Sequence, residues 1–405
     1  MSVTERALRE ISDDPFLRAF PRAEPFRFVL TLGAQRVLVD VGRETEARSG
    51  IDINDSWDFE YVLPQQAWHN YRQAVPPPGF NTAQALLARL GSDIVTGDRA
   101  RWAQYAPVVE RVLQILAGKV ETASAAGTTL PGKSDIVGRY LPLTIQDTTY
   151  RVYYESAGSG VPIVCLHTAG SDSRQYHHLM ENPALTERFQ FFAFDLPWHG
   201  RSNPPADWRS RTYSLEVDWY TDAVLAFQAA LGLDRPALIG CSMGGVLALQ
   251  LSSQHGEKFR SVISLEGGFG NPSRKVDWTR HAEVDHSLFL STWVAGLMSP
   301  ASPIDLREQV LWEYGQSGPG VYHGDTHFMA RIPDIADSLG PAKCPLHVFC
   351  GEYDYSSTPE MSRAAAQQLG GRFTLLEGMG HFPMAEDPGR LLEYLNPVLD
   401  EIAAG

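Results

Sequence analysis

Ser242 stands in the pentapeptide Gly240-Cys241-Ser242-Met243-Gly244, between the apolar runs PALI and VLALQL. A serine hydroxyl is a weak nucleophile. It needs a base within hydrogen-bond reach and a third group to orient that base. It also needs exposure, which a sharp strand-to-helix turn supplies at the expense of strained backbone angles and crowded neighbours. Glycines two residues before and two after relieve the crowding, so the pentapeptide has the setting of a nucleophile elbow. The turn has a second consequence. The N–H of Met243, at a helix N-terminus, points where an oxyanion would form.

The elements that must position this serine follow from the hydrophobic pattern. Two alternating runs, YLPLTI and TYRVYYESA, are split by QDT and predict a hairpin. Short continuous apolar runs follow: PIVCLH, FQFFAFDLP, PALIGCS, SVISLEG, PLHVFCGEYD and RFTLLEG. Runs of this length suit strands buried on both faces of a parallel sheet. Helix-length segments lie between them. Residues 215–232 carry apolar side chains at helical spacing and end on Gly232. A terminal helix has Asp387 as N-cap and Pro388 at its first position, and Pro397 should kink or end it. Strands alternating with helices predict a doubly wound α/β sheet with an antiparallel start. Residues 269–340 interrupt the rhythm. A structureless loop of that length is improbable, so the segment reads as an inserted, mostly helical cap.

With these elements in place, residues 138–403 resemble the α/β-hydrolase superfamily. The resemblance implies the chain order serine, acid, histidine. The acid should end a strand, and VFCGEYD ends on Asp354, followed by Thr358-Pro359 as the start of a helix. Glu352 competes for the role, and the family's turn favours Asp354. The base should follow the last strand, and LLEGMGHFPMAEDP places His381 there. Ser242 would then attack, His381 would take and return its proton, and Asp354 would fix the imidazole tautomer. The resemblance also implies a second oxyanion donor after the first parallel strand. The loop reads His167-Thr168-Ala169-Gly170, with Thr168 where relatives carry glycine, and by position the donor is Ala169 N–H. DLPWHGRSNPP is similar to the loop after the next strand, with Trp198 in an unusual place and His199 as a structural residue.

A serine nucleophile disfavours the family's dehalogenases and epoxide hydrolases, which use aspartate. A cysteine at the elbow would suggest dienelactone hydrolase, but Cys241 is one position off and points into the fold. The expected activity is hydrolysis of a carboxylic ester, thioester or lactone of a hydrophobic small molecule through an acyl-enzyme. Carbon–carbon bond hydrolases share the triad, but Phe382 after His381 and the loop HTAGSDS depart from them. A slow-turnover binding protein on the same fold, and weakly a cofactor-free haloperoxidase, stay open. The cap's Trp278, Trp293, Trp312, Tyr314 and Tyr322 would pack its own core or line an apolar pocket.

The expected domains are 1–120, an N-terminal α+β domain; 121–135, a polar linker (ETASAAGTTLPGKSD); and 136–405, an α/β-hydrolase domain with its cap at about 269–340. The whole is an α/β-class fold, a mostly parallel central sheet with helices on both faces. In the first domain FRFVLTL and QRVLVDVG read as a strand pair, QQAWHNYRQAV and TAQALLARLG as helices, and VTGDRARWAQYAPVVERVLQILAGK as a polar turn into a helix. This pattern resembles a sterol-carrier-protein-2-like domain, which implies a lipid-binding sandwich that delivers or recognises an acyl substrate. A dimerisation or docking module is the alternative, so a homodimer stays open.

Composition bounds the partners. The 405 residues are 43% hydrophobic and 20% charged, with a formal net charge of −14. That balance argues against nucleic-acid or anionic-membrane binding. No apolar run approaches the ~18 residues of a membrane span, and the charged N-terminus lacks a signal sequence, so a cytoplasmic location is expected. Cys165, Cys241, Cys344 and Cys350 lack metal-ligand spacing and read as reduced thiols. His323 and His327 lie four apart with no third ligand nearby. No cofactor and no metal are expected.

Overall fold

A computed structural model describes residues 5–21, 24–120, 134–270 and 277–405. It divides into two compact units, Met1–Ala123 with Trp278–Gly296, and Ser124–Asp277 with Leu297–Gly405. The expected linker at 121–135 lies outside the described residues except for its last two positions.

The first unit is built on a mixed sheet. Its strands are β1 (Phe26–Leu32), β2 (Gln35–Val41), β3 (Thr45–Ser49), β4 (Phe59–Leu63) and β5 (Val95–Gly97), in the order β3-β2-β1-β4-β5. The expected strand pair is present, with Phe26 opposite Val41 and Leu32 opposite Gln35. VTG, read as a turn, forms the edge strand β5 instead, because three residues suffice to pair with β4. Helix Ala106–Ala117 covers the sheet with Val108, Val109, Val112 and Leu113 buried. The stretch 269–340, expected as one cap, is divided. Helix His286–Leu297 is mostly apolar and buries Phe289, Leu290 and Val294. Its first unit partners include Asn81, whose Nδ2 donates to Gly296 O at 3.0 Å.

The second unit holds an eight-stranded sheet. Its strands are β6 (Val137–Ile145), β7 (Thr148–Gly158), β8 (Val161–Leu166), β9 (Phe189–Phe194), β10 (Ala237–Cys241), β11 (Val262–Leu265), β12 (Leu346–Gly351) and β13 (Arg372–Leu376). They lie in the order β13-β12-β11-β10-β8-β9-β7-β6. β7 runs antiparallel to both β6 and β9, and the remaining pairs are parallel. All five residues of β10 are buried, as a continuous apolar run requires of a strand covered on both faces. Helices Val217–Ala230, Met243–Gln254 and Pro359–Leu369 pack one face through Phe227, Val246 and Ala365. Helix Pro388–Ala404 packs the other through Leu391, Leu395 and Leu399. This helix neither stops nor breaks at Pro397. A proline inside a helix costs about 3 kcal/mol. Val398, Leu399 and Ile402, buried just beyond it, offset that cost at roughly 1.5–3 kcal/mol per side chain.

β8 is followed in sequence by β9 on one side, while β10 lies on the other. This reversal makes a crevice at the C-terminal ends of β8 and β10, where ligands bind in open parallel sheets. Among the described residues no helix is long and apolar enough to cross a membrane.

Candidate active site

Ser242 follows β10 directly and caps helix Met243–Gln254, with φ 54° and ψ −112°. That is the backbone region of a glycine at the first central position of a type II′ turn, and a side chain there is strained. The surrounding glycines show why the chain can make the turn. A Cβ on Gly240 would lie 2.2 Å from Gly244 O, and one on Gly244 would lie 2.5 Å from Leu166 O. Gly245 is equally constrained, since its Cβ would meet Leu265 O at 2.4 Å. The elbow thus needs three glycines.

The expected acid and base follow β12 and β13, two and three strands along the sheet from β10. Asp354 follows β12, and its Oδ1 accepts hydrogen bonds from the N–H groups of Ser356 (2.6 Å) and Ser357 (3.0 Å). Its other oxygen, Oδ2, lies 2.7 Å from His381 Nδ1. Glu352 instead accepts from Gly378 N–H on the surface, so Asp354 is the residue that reaches the histidine. His381 follows β13; its N–H donates to Leu297 O at 3.0 Å. The Cys241 thiol donates to His381 O at 3.3 Å, which joins the histidine loop to the elbow. Ser242, Asp354 and His381 are all buried.

Glu266 at the end of β11 stands behind this pair. Glu266, Asp354 and His381 each offer a ligand atom within 4.8 Å of the others. Both oxygens of Glu266 lie 2.9 Å from Gly351 N. Burial, then the Asp354 charge and the hydrogen bond between the two carboxyls, hold the Glu266 carboxyl well above its usual range. His323 and His327 stack edge to face at 5.9 Å on helix Val321–Ala330, with His327 exposed, and belong to no such cluster.

The loop after β8 carries Ala169. His167 Nδ1 donates to Thr168 O at 2.8 Å, while its Nε2 accepts from Leu196 N–H at 3.2 Å. Burial, with His199 beside it, pushes the His167 imidazole down to about 4, so it is neutral and its tautomer is set. Thr168 N and Oγ1 both donate to Gln175 Oε1 at 3.1 Å, and Thr168 Oγ1 also bonds the Tyr314 hydroxyl. Gly170 N–H donates to Asp325 Oδ2 at 2.7 Å. Among the described residues the N–H groups of Ala169 and Met243 have no hydrogen-bond partner.

The histidine loop has an anchor of its own. Glu386 takes Phe382 N–H on Oε1 (2.9 Å), and Ser299 N–H (2.9 Å) and the Ser302 hydroxyl (2.8 Å) on Oε2. Burial pushes its carboxyl up to about 7. The sequence reading missed Glu266, Glu386, Asp325, Gln175 and the pairing of His199. Glu266 alone left a signal, an acid at the end of an apolar strand.

Residues 163–394 match the profile of the alpha/beta hydrolase family. The chain belongs to that family. The hydrolase is 32% identical to the pimeloyl-[acyl-carrier protein] methyl ester esterase of Aeromonas hydrophila, over 60% of this chain and 97% of that protein. It is 24% identical to strigolactone esterase D14 of Arabidopsis thaliana, over 60% of this chain and 94% of that one. A thermophilic esterase from Thermogutta terrifontis matches its structure with a TM-score of 0.57 at 20% identity, covering 66% of this chain and 99% of the other. At that identity the likeness is one of fold.

Proposed function

We propose that this hydrolase cleaves a carboxylic ester, thioester or lactone of a hydrophobic small molecule through an acyl-enzyme on Ser242. The observation that carries the reading is the His381–Asp354 hydrogen bond of 2.7 Å beside a serine held at φ 54°. Asp354 Oδ2 keeps the proton on His381 Nδ1, so Nε2 is the basic atom. In the first step the Ser242 hydroxyl adds to the acyl carbon, and its proton passes to His381 Nε2. The carbonyl oxygen gains the negative charge, and the amides of Met243 and Ala169 bind it. Collapse of the adduct breaks the bond to the leaving group, which takes the proton back from His381. Water then repeats the sequence on the acyl-enzyme and releases the acid.

The apolar substrate class rests on the rings that flank the histidine. Phe382 packs against His381 with ring centroids 4.9 Å apart and against Tyr314 at 5.4 Å. The esterase names of the two relatives agree with this reading. The test is hydrolysis of p-nitrophenyl esters from acetate to long acyl chains by the wild type and by Ser242→Ala. Turnover lost in the variant supports the reading, and the chain-length optimum sizes the acyl pocket. A wild type inert on every ester would refute it.

A further inference from the structure

The oxyanion donor assigned to Ala169 sits between two peptide units, and the structure ties down both. In the first unit Thr168 O accepts from His167 Nδ1 and, at 3.3 Å, from Ser171 N–H. A trans peptide points its C=O and N–H in opposite directions, so Ala169 N–H faces away from His167. In the second unit Gly170 N–H is bound by Asp325 Oδ2 at 2.7 Å. Gly170 has φ 71°, and a Cβ there would meet Tyr322 Cδ2 at 2.8 Å, so only glycine brings the loop this close to the helix carrying Asp325.

Asp325 lies on helix Val321–Ala330 and is fully buried. Its Oδ2 also lies 2.9 Å from His199 Nε2, and its Oδ1 accepts from the Tyr213 hydroxyl at 2.8 Å. His199 Nδ1 faces Pro197 O at 3.2 Å, so both ring nitrogens meet acceptors, and against the pull of burial the Asp325 charge and hydrogen bond raise the imidazole above its ordinary value. A fully buried carboxyl group with three hydrogen-bond partners is a rigid anchor, because losing any one of them leaves a buried polar atom unsatisfied. A second inserted helix, Ile304–Tyr314, contributes Tyr314 to Thr168 Oγ1. Residues from the insertion therefore grip the neighbour on each side of Ala169.

We propose that Asp325, through its contact with Gly170 and its buried pairing with His199, is a positioning residue that aims Ala169 N–H at the reacting carbonyl. The inserted helices then help to assemble the oxyanion hole as well as shape the substrate pocket. The proposal rests on the acyl-enzyme reading above. It touches neither the nucleophile nor the base, so its signature is a loss of transition-state binding with ground-state binding kept.

The experiment uses the full-length protein and the variants Asp325→Asn and Asp325→Ala. Active sites are counted by end-point labelling with a fluorophosphonate. Turnover of the best p-nitrophenyl ester and inhibition by a trifluoromethyl ketone of the same acyl chain are then measured per labelled site. Removing an oxyanion donor costs about 10²–10³ in kcat, so misaiming one should lower kcat by about 10–100-fold. KM should stay within about threefold, and ketone inhibition should weaken by the same factor as kcat. The asparagine keeps the shape of the side chain and serves if the alanine variant fails to fold. An asparagine variant whose kcat and ketone inhibition per site are within about twofold of wild type overturns the proposal. A uniform rise in KM does the same. Failure of the hydrolytic reading is separate: the wild type itself would then neither label at Ser242 nor turn over the ester.

Discussion

The backbone at Ser242 allows a test in which the sign, more than the size, decides. The residue is held at φ 54°, ψ −112°, a region where a Cβ-bearing residue is strained by about 1–3 kcal/mol. The strain is locked in by neighbours: Ser242 N–H donates to Leu265 O at 2.9 Å and Val246 N–H to Ser242 O at 2.8 Å. Ser242→Ala removes the nucleophile but keeps the Cβ, so the strain stays. Ser242→Gly removes both. Glycine at an ordinary position is about 0.5–1 kcal/mol less stable than alanine through the entropy of the unfolded chain. Subtracting that from the relieved strain leaves the glycine variant more stable by about 1 kcal/mol. For a unit of this size that corresponds to about 2–4 °C in melting temperature. Urea unfolding followed by tryptophan fluorescence measures the difference, and both variants should be inactive. If the glycine variant is the less stable of the two, the elbow is not strained and the steric account of Ser242 fails.

Other positions separate the roles of the site. Asp354→Asn should leave folding intact and lower kcat by about 10⁴, since the wrong His381 tautomer then faces the serine; steady-state kinetics would show it, and a loss below tenfold would refute the proposed role of Asp354. Gly244→Ala places a Cβ 2.5 Å from Leu166 O and should destabilise by about 1–3 kcal/mol in urea. Gly389→Ala, where a Cβ meets nothing within 4 Å in a helix, should instead stabilise by about 0.5–1 kcal/mol. Glu386, pushed up to about 7 from an unfolded value near 4.5, binds its proton more tightly when folded. It therefore contributes stability that is full below about pH 4.5 and lost as pH rises through 7. Glu386→Gln should remove that fall, up to about 3 kcal/mol at about 1.4 kcal/mol per unit, and unfolding curves of both proteins across pH 4–8 would reveal it. An unchanged pH slope would mean that Glu386 does not titrate in this range.

What could be read along the chain was local. The strands β8 to β13 are continuous apolar runs because both sheet faces are covered, and burial on two sides needs no partner's identity to be recognised. The elbow was legible because its constraint is steric and spans a few residues, although Gly245 was overlooked: its clash is with Leu265, on a different strand. Asp387 and Thr358 cap their helices as expected, since a cap is a contact over three residues. Pro397 does not end its helix, for the opposite reason. Its local preference to break a helix was outweighed by burial on both sides of it, which only the packed sheet supplies.

The supporting groups of the site depend on distance in the chain. Asp325 meets Gly170 across 155 positions and His199 across 126, and Glu266 meets Gly351 across 85. Nothing in the run VYHGDTHFMA marks Asp325 as an anchor; its neighbours in space come from loops after β8 and β9. Likewise, the apolar character of residues 286–297 signals burial but not which core receives them. The amino-acid order thus determined the elements and the turn at Ser242, because hydrophobic period and steric crowding act between near neighbours. Tertiary structure decided which carboxylate reaches His381, that the Ala169 amide is left free, and which residues hold it there. Those outcomes turn on hydrogen bonds whose partners meet only once the parallel sheet has brought its strand ends together.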